Sequence, residues 1–179
     1  MIRAGNMQIP VHKQTEGSMR IDNLVKTYGK MNAVNGLSLT VFKDEILVLL
    51  GHNGAGKTTT LNILTGLIEA TSGTVKVDNL DISDCDNIGL CPQENILFEK
   101  MSIKENLEFY ARFKNVQNVD ETVQEMLVKF NLDARQSVKP SEVSGGQKRK
   151  LQLACALVGD SKIVLLDEPT SGMDPTARR

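Results

Sequence analysis

From Met19 onward, hydrophobic and polar positions follow a succession of short periods. Arg20 to Lys26 and Leu37-Ser38-Leu39-Thr40-Val41-Phe42 alternate, which predicts half-buried strands. Ile46-Leu47-Val48-Leu49-Leu50 is instead continuously apolar and stops at Gly51, the pattern of a strand covered on both faces in a mixed or parallel sheet. Gly73 to Asp78 alternates again and predicts an edge strand. The middle of the chain changes period. Ser102-Ile103-Lys104-Glu105 predicts a capping box that opens a helix carrying Leu107, Tyr110, Ala111 and Phe113. From Asp120, the positions Val123, Met126, Leu127 and Phe130 recur at i, i+3, i+4 and i+7, predicting a second helix. A third follows Ser144-Gly145-Gly146-Gln147, with Leu151, Ala154, Cys155 and Val158 on one face, and Ile163 to Leu166 predicts a buried strand ending in Asp167-Glu168. Residues 1–18 are polar and aperiodic and are expected to form a leader without fixed structure.

Composition narrows the class without naming a function. A chain of 179 residues with 40% hydrophobic and 24% charged residues is expected to be one globular domain, not a low-complexity or disordered segment. The aliphatic runs are far shorter than the roughly 18–20 apolar residues of a membrane span. The first residues hold no apolar stretch of the signal-peptide kind, and three unevenly spaced cysteines make no disulfide framework, so the cytosol is the expected compartment. Cys85, Cys91 and Cys155 also lack metal-ligand spacing and are expected to be buried thiols or strand residues. With 21 basic against 22 acidic residues, the balance argues against a dedicated nucleic-acid binder.

The chemistry is concentrated in a few motifs. Gly51-His52-Asn53-Gly54-Ala55-Gly56-Lys57-Thr58 fits the G-x-x-x-x-G-K-[ST] pattern of a P-loop, preceded by an apolar run and followed, from Thr58 to Leu67, by a helix-compatible segment. Glycines let such a backbone wrap an anion; Lys57 would neutralise the β- and γ-phosphate charge and Thr58 would ligate Mg²⁺. A Gly-rich strand-to-helix turn would share the glycines but has no need of the Lys-Thr pair. Asp167, at the carboxyl end of an apolar run, is the metal-side carboxylate, and Glu168 the candidate base for an attacking water. Ser144-Gly145-Gly146 at a helix start makes a second anion site from a hydroxyl, backbone N–H groups and the positive dipole end.

Ser144-Gly145-Gly146-Gln147-Lys148, together with Gln93 and Ser171-Gly172-Met173-Asp174 after Asp167-Glu168-Pro169, resembles the ATP-binding cassette (ABC) ATPases over residues 19–179. The resemblance implies an α/β fold: an ABC-type P-loop NTPase core with an N-terminal antiparallel β subdomain and a helical insert at about 95–150. It implies that His52, Asn53, Ala55 and Thr59 join the P-loop glycines, Lys57 and Thr58 in binding ATP. By the same resemblance Tyr28 stacks on adenine, Gln93 touches Mg²⁺ and the water, and Ser144, Gly145, Gly146 and Gln147 face the γ-phosphate on a second, head-to-tail domain. Tyr28 alone fits a core or surface position equally well. Asp174 matches a loop that communicates between the two nucleotide sites. Ile96-Leu97-Phe98 fits either ordinary packing or contact with a membrane domain's cytoplasmic helix.

The stretches Gly89 to Gln93, Leu97-Phe98-Glu99, Glu108 to Arg112, Lys148 to Leu151 and Gly172 to Pro175 resemble subfamily A, whose members move lipids and sterols. The implied whole is ATP hydrolysis that powers transport, on the cytosolic face of a membrane, with transmembrane domains in the same or a partner chain. A soluble non-transport ABC ATPase, and a nucleotide-binding module without turnover, are the alternatives. Lys148-Arg149-Lys150 reads as a solvated helix face. The family's γ-phosphate histidine has no counterpart, because His12 and His52 are the two histidines present. The chain is therefore expected to be a truncated one, missing a central strand, with impaired stability and hydrolysis. The segment from Asp78 to Cys91 also reads a few residues shorter than in subfamily A.

Overall fold

A computed structural model describes residues 19–85 and 88–170; the expected leader, His12 and the Ser171-to-Pro175 segment with Asp174 lie outside the described residues. The chain divides into two compact units, Met1–Asp86 and Asn87–Arg179.

In the first unit, strands β1 (Met19–Tyr28), β2 (Met31–Val41), β3 (Ser72–Val77) and β4 (Leu80–Asp81) form an antiparallel sheet in the order β2-β1-β3-β4. Ile21, Leu24, Val34, Leu37, Val75 and Val77 are buried, as are Ile63 and Leu64 of helix α1 (Lys57–Leu64); Ile21 and Leu24, three positions apart, are both buried because the β1–β2 register shifts between them at the left-handed Asn23. The β1–β3 register shifts between Asp22 and Val25, and Gly73 faces that irregularity: a Cβ there would lie 2.5 Å from the Asn23 carbonyl oxygen. The segment predicted as an edge strand, β3, is an interior one. Asp78 and Asn79, with φ of 51° and 68°, supply the two left-handed residues of a tight hairpin, so Leu80–Asp81 folds back and takes the edge. Helix α1 ends three residues before the predicted Leu67, because Gly66 turns left-handed at φ 71° and donates to the Ile63 carbonyl.

Ile46 to Leu50 is not a strand, and Ile46 is 94% exposed. A run apolar on both faces holds strand geometry only with hydrogen-bonded neighbours, and among the described residues it lies outside both sheets.

The second unit pairs β5 (Ile88–Cys91) with β6 (Ile163–Leu166) in parallel. Helices α2 (Ile103–Phe113), α3 (Val119–Lys129) and α4 (Gly145–Leu157) close a core around Ile103, Leu107, Val123, Leu127, Leu151 and Cys155. Residues 95 to 150 thus contain α2, α3 and the start of α4. The Ser102–Glu105 capping box forms as predicted: Glu105 N–H donates to Ser102 Oγ at 3.2 Å, and Ser102 N–H to the Glu105 carboxylate at 2.6 Å. That backbone bond holds the Glu105 carboxyl below its usual range. Gly89 lets α4 approach β5, since a Cβ there would run into the Ala156 carbonyl. Lys114 caps the far end of α4, donating to the carbonyls of Ala156 (2.8 Å) and Val158 (3.0 Å). Strand β6 is only half-buried; Leu165 faces inward while Leu166 is exposed, because β5 is its one ladder partner among the described residues. Among the described residues no helix is long and apolar enough to cross a membrane.

Candidate functional site

The first unit carries the loop from Gly51 to Lys57. Gly54 and Gly56 adopt φ of 80° and 93°, conformations that L side chains rarely enter. Gly56 is also the N-cap of α1, so the loop's turn and the helix start are one feature. A Cβ on Gly51 would lie 2.9 Å from that of Ala55, the one buried side chain of the loop. Lys57 folds back over the loop, its Nζ donating to the carbonyls of Gly51 (2.7 Å) and His52 (3.1 Å). Its ammonium is therefore held at the loop, beside the positive dipole end of α1. His52 Nδ1 lies 2.8 Å from the Asn53 carbonyl oxygen. Thr58 and Thr59 occupy the first turn of α1, Thr58 exposed. In the same unit, Tyr28 ends β1 with an exposed ring, and Lys26 Nζ stands 5.2 Å from its centroid.

The second unit brings Gln93, Asp167 and Glu168 together. Parallel strands β5 and β6 end side by side, and Asp167 N–H extends the ladder by donating to the Cys91 carbonyl at 2.9 Å. Asp167 is buried, whereas Glu168, next along, is exposed. Glu168 adopts φ 46°, a left-handed conformation uncommon for a residue with a Cβ. There its Oε2 accepts from Gln93 Nε2 at 3.2 Å. Strain at a carboxylate that sits on a strand end is a mark of functional sites.

Ser144 caps α4 in a second capping box: Gln147 N–H donates to Ser144 Oγ at 3.3 Å, and Ser144 N–H to Gln147 Oε1 at 3.1 Å. A Cβ on Gly145 would meet nothing within 4 Å, so an open surface surrounds that helix start.

The expectation of a solvated Lys148-Arg149-Lys150 face fails at its middle residue. Arg149 is 1% exposed, in step along α4 with the buried Gln152 and Ala156, and donates to backbone carbonyls of the Gln93 and Glu168 segments. Sequence reading missed this role; the one signal was position, a basic residue three before Gln152 on the helix face that carries it. Lys148 instead pairs at the surface with Glu99, 3.4 Å away. The thiols of Cys91 and Cys155 are buried, as expected, and burial pushes both up from the ordinary thiol range.

Residues 34–171 match the family model described as ABC transporter. The chain is 39% identical to human ATP-binding cassette sub-family A member 10, over 94% of this chain and 12% of that protein. It is 44% identical to the human retinal-specific phospholipid-transporting ATPase ABCA4, over 89% of this chain and 7% of that one. The chain thus spans about a tenth of the length of these curated relatives. Among solved structures, it superposes with a TM-score of 0.79 on a dimeric ATP-binding cassette in a post-hydrolysis state bound to ADP and Pi, at 28% identity, covering 89% of this chain and 77% of the other. An ATP-binding subunit of an ABC transporter gives a TM-score of 0.81 at 26% identity, over 89% and 70% of the two chains. A P-loop with its lysine folded over it, a carboxylate pair at a parallel strand end and a family match over most of the chain agree: this protein belongs to the ABC transporter family and has the fold of its nucleotide-binding domain.

Proposed function

We propose that this chain binds Mg·ATP and hydrolyses it as the nucleotide-binding domain of a transporter, with lipids as the transported class. The observation that carries the reading is the Gln93–Glu168 contact at the end of β6, a carboxylate held out by an unusual backbone conformation beside an amide. The mechanism is positioning plus charge stabilisation. Lys57 and the loop amides of Gly51 to Gly56 hold the phosphates, with Thr59 beside them. Tyr28 offers a ring face to the base. Glu168 accepts a proton from the attacking water, and Gln93 orients that water. Thr58, Asp167 and Gln93 provide oxygen donors that suit Mg²⁺, which neutralises phosphate charge when bound. Among the described residues no three His, Cys, Asp or Glu side chains cluster as a cage.

Ser144, Gly145, Gly146 and Gln147 would complete the site of a second such domain in a head-to-tail dimer. The solved neighbour with ADP and Pi is itself dimeric, which supports that arrangement. Membrane domains would meet the aromatic surface of the second unit, where Phe98 and Phe109 pack edge-on at 4.6 Å and Phe113 is 75% exposed. That contact would put the domain on the cytosolic face of a membrane. The lipid class rests on the name of the phospholipid-transporting relative. Within the chain, residues 19–179 form the ATP-binding domain with its helical insert at about 95–150.

An ATP titration run beside a phosphate-release assay tests the reading. Expected are saturable binding, loss of binding in Lys57→Ala, and release that falls to background in Glu168→Gln. A binding-only module is the second reading, favoured by the exposed, non-strand Ile46 to Leu50 segment just before the P-loop. Binding without release above the Glu168→Gln control would establish it instead.

A further inference from the structure

We propose that Arg149 is a positioning residue that locks the Gln93 and Glu168 segments into one frame and ties that frame to α4, the helix that begins at Ser144; the inference rests on the hydrolytic reading of Gln93 and Glu168. A guanidinium has five N–H donors in a fixed planar fork. All three nitrogens of Arg149 are used. Nε donates to the Pro169 carbonyl at 2.9 Å, and Nη2 to the carbonyls of Asp167 (2.8 Å) and Glu168 (2.9 Å). Nη1 donates to the carbonyls of Pro92 (2.6 Å) and Gln93 (3.2 Å), with Asn95 Oδ1 at 3.5 Å. One side chain therefore gathers two segments more than seventy residues apart in sequence, the Gln93–Glu168 contact spanning 75 positions.

The acceptors are informative as well. Among the described residues Arg149 takes part in no ion pair within 4 Å, and its hydrogen bonds go to backbone carbonyls and the Asn95 side-chain oxygen. Desolvating a guanidinium is costly, and packing alone does not call for a charge at this position. The carbonyls it holds belong to the residues that carry the amide and the carboxylate, and to their neighbours. Fixing those carbonyls fixes where both Cα–Cβ bonds start, including the left-handed backbone of Glu168. Because Arg149 stands five residues after Ser144 on the same helix, a displacement at the Ser144-Gly145-Gly146 end has a rigid path to Glu168.

Two variants of the full chain test this, Arg149→Met, which keeps the volume without donors, and Arg149→Lys, which keeps the charge on one nitrogen. Amide exchange by NMR is read at Ile96 and Asp167, whose N–H groups donate to Gln152 Oε1 and the Cys91 carbonyl, and at Leu107 and Leu127 in α2 and α3 as controls. Both variants are expected to exchange about tenfold faster at Ile96 and Asp167 with the α2 and α3 amides unchanged. In phosphate release, kcat is expected to fall about tenfold with the KM for ATP held within about twofold, and Lys not to rescue. Unchanged exchange at Ile96 and Asp167, equal acceleration throughout α2 and α3, outright unfolding of both variants, or wild-type kcat in Arg149→Lys would each overturn the proposal. A wild-type chain that binds ATP but releases no phosphate counts against the hydrolytic reading instead, and the exchange measurements still decide whether Arg149 locks the two segments.

Discussion

Gly56 combines a left-handed φ of 93° with the Ala33 carbonyl oxygen standing where a Cβ would be. Any side chain must either push β2 away or change the backbone that starts α1. Gly56→Ala is therefore expected to destabilise the chain by roughly 2 kcal/mol or more and to remove ATP binding, read as a lowered urea midpoint and a flat titration. Glu105 supports a pH prediction. Its carboxyl lies below the ordinary value because the Ser102 backbone N–H favours the charged form, so its contribution is present above pH 4.5 and lost as pH falls through the folded value. Thermal melts from pH 5 to 2.5 should show a shallower acid decline for Glu105→Gln than for wild type; parallel declines would remove the role. The Gly-rich loop and the capping boxes were legible because each rests on residues within a few positions of one another. Arg149 was not legible, since its acceptors lie 18 to 57 positions away and charge in a sequence reads as solvated by default.

Helices α2, α3 and α4 follow from their apolar periodicity, because a helix satisfies its own backbone and needs only one face covered. Strands depend on partners, and there the sequence was less reliable. Ile46 to Leu50 has strong β composition yet stands outside both sheets, while Ile88 to Cys91, too short and Gly-containing to be noticed, forms a ladder with β6. Gly89 earns its place there through the close approach of α4 rather than through propensity. The exposed run Ile46-Leu47-Val48 is a β-prone, uncharged window of the kind that drives edge-to-edge association. Val48→Lys is expected to reduce self-association in concentration-dependent light scattering while leaving the melting temperature within about 1 °C, since Val48 is exposed. A large drop in melting temperature would mean that this segment is structured in solution.

The chain holds two tyrosines and no tryptophan, and each compact unit carries one: Tyr28 at the end of β1 and Tyr110 on α2. Fluorotyrosine labelling therefore gives one ¹⁹F NMR signal for each unit. The fold class was legible from motif order: the P-loop lies in the first unit, and Gln93, Asp167 and Glu168 lie in the second. Each unit can therefore be followed by itself. Ligand that binds only the folded state at a hundredfold excess over its Kd stabilises by about 2.7 kcal/mol. At that excess of ATP the Tyr28 signal should shift and move to a higher melting temperature, because the Gly51-to-Gly56 loop, Lys57 and Tyr28 all belong to the first unit. Lys57→Ala should abolish both effects. A Tyr28 signal that neither shifts nor melts later at saturating ATP would remove Tyr28 and Lys57 from the proposed nucleotide site.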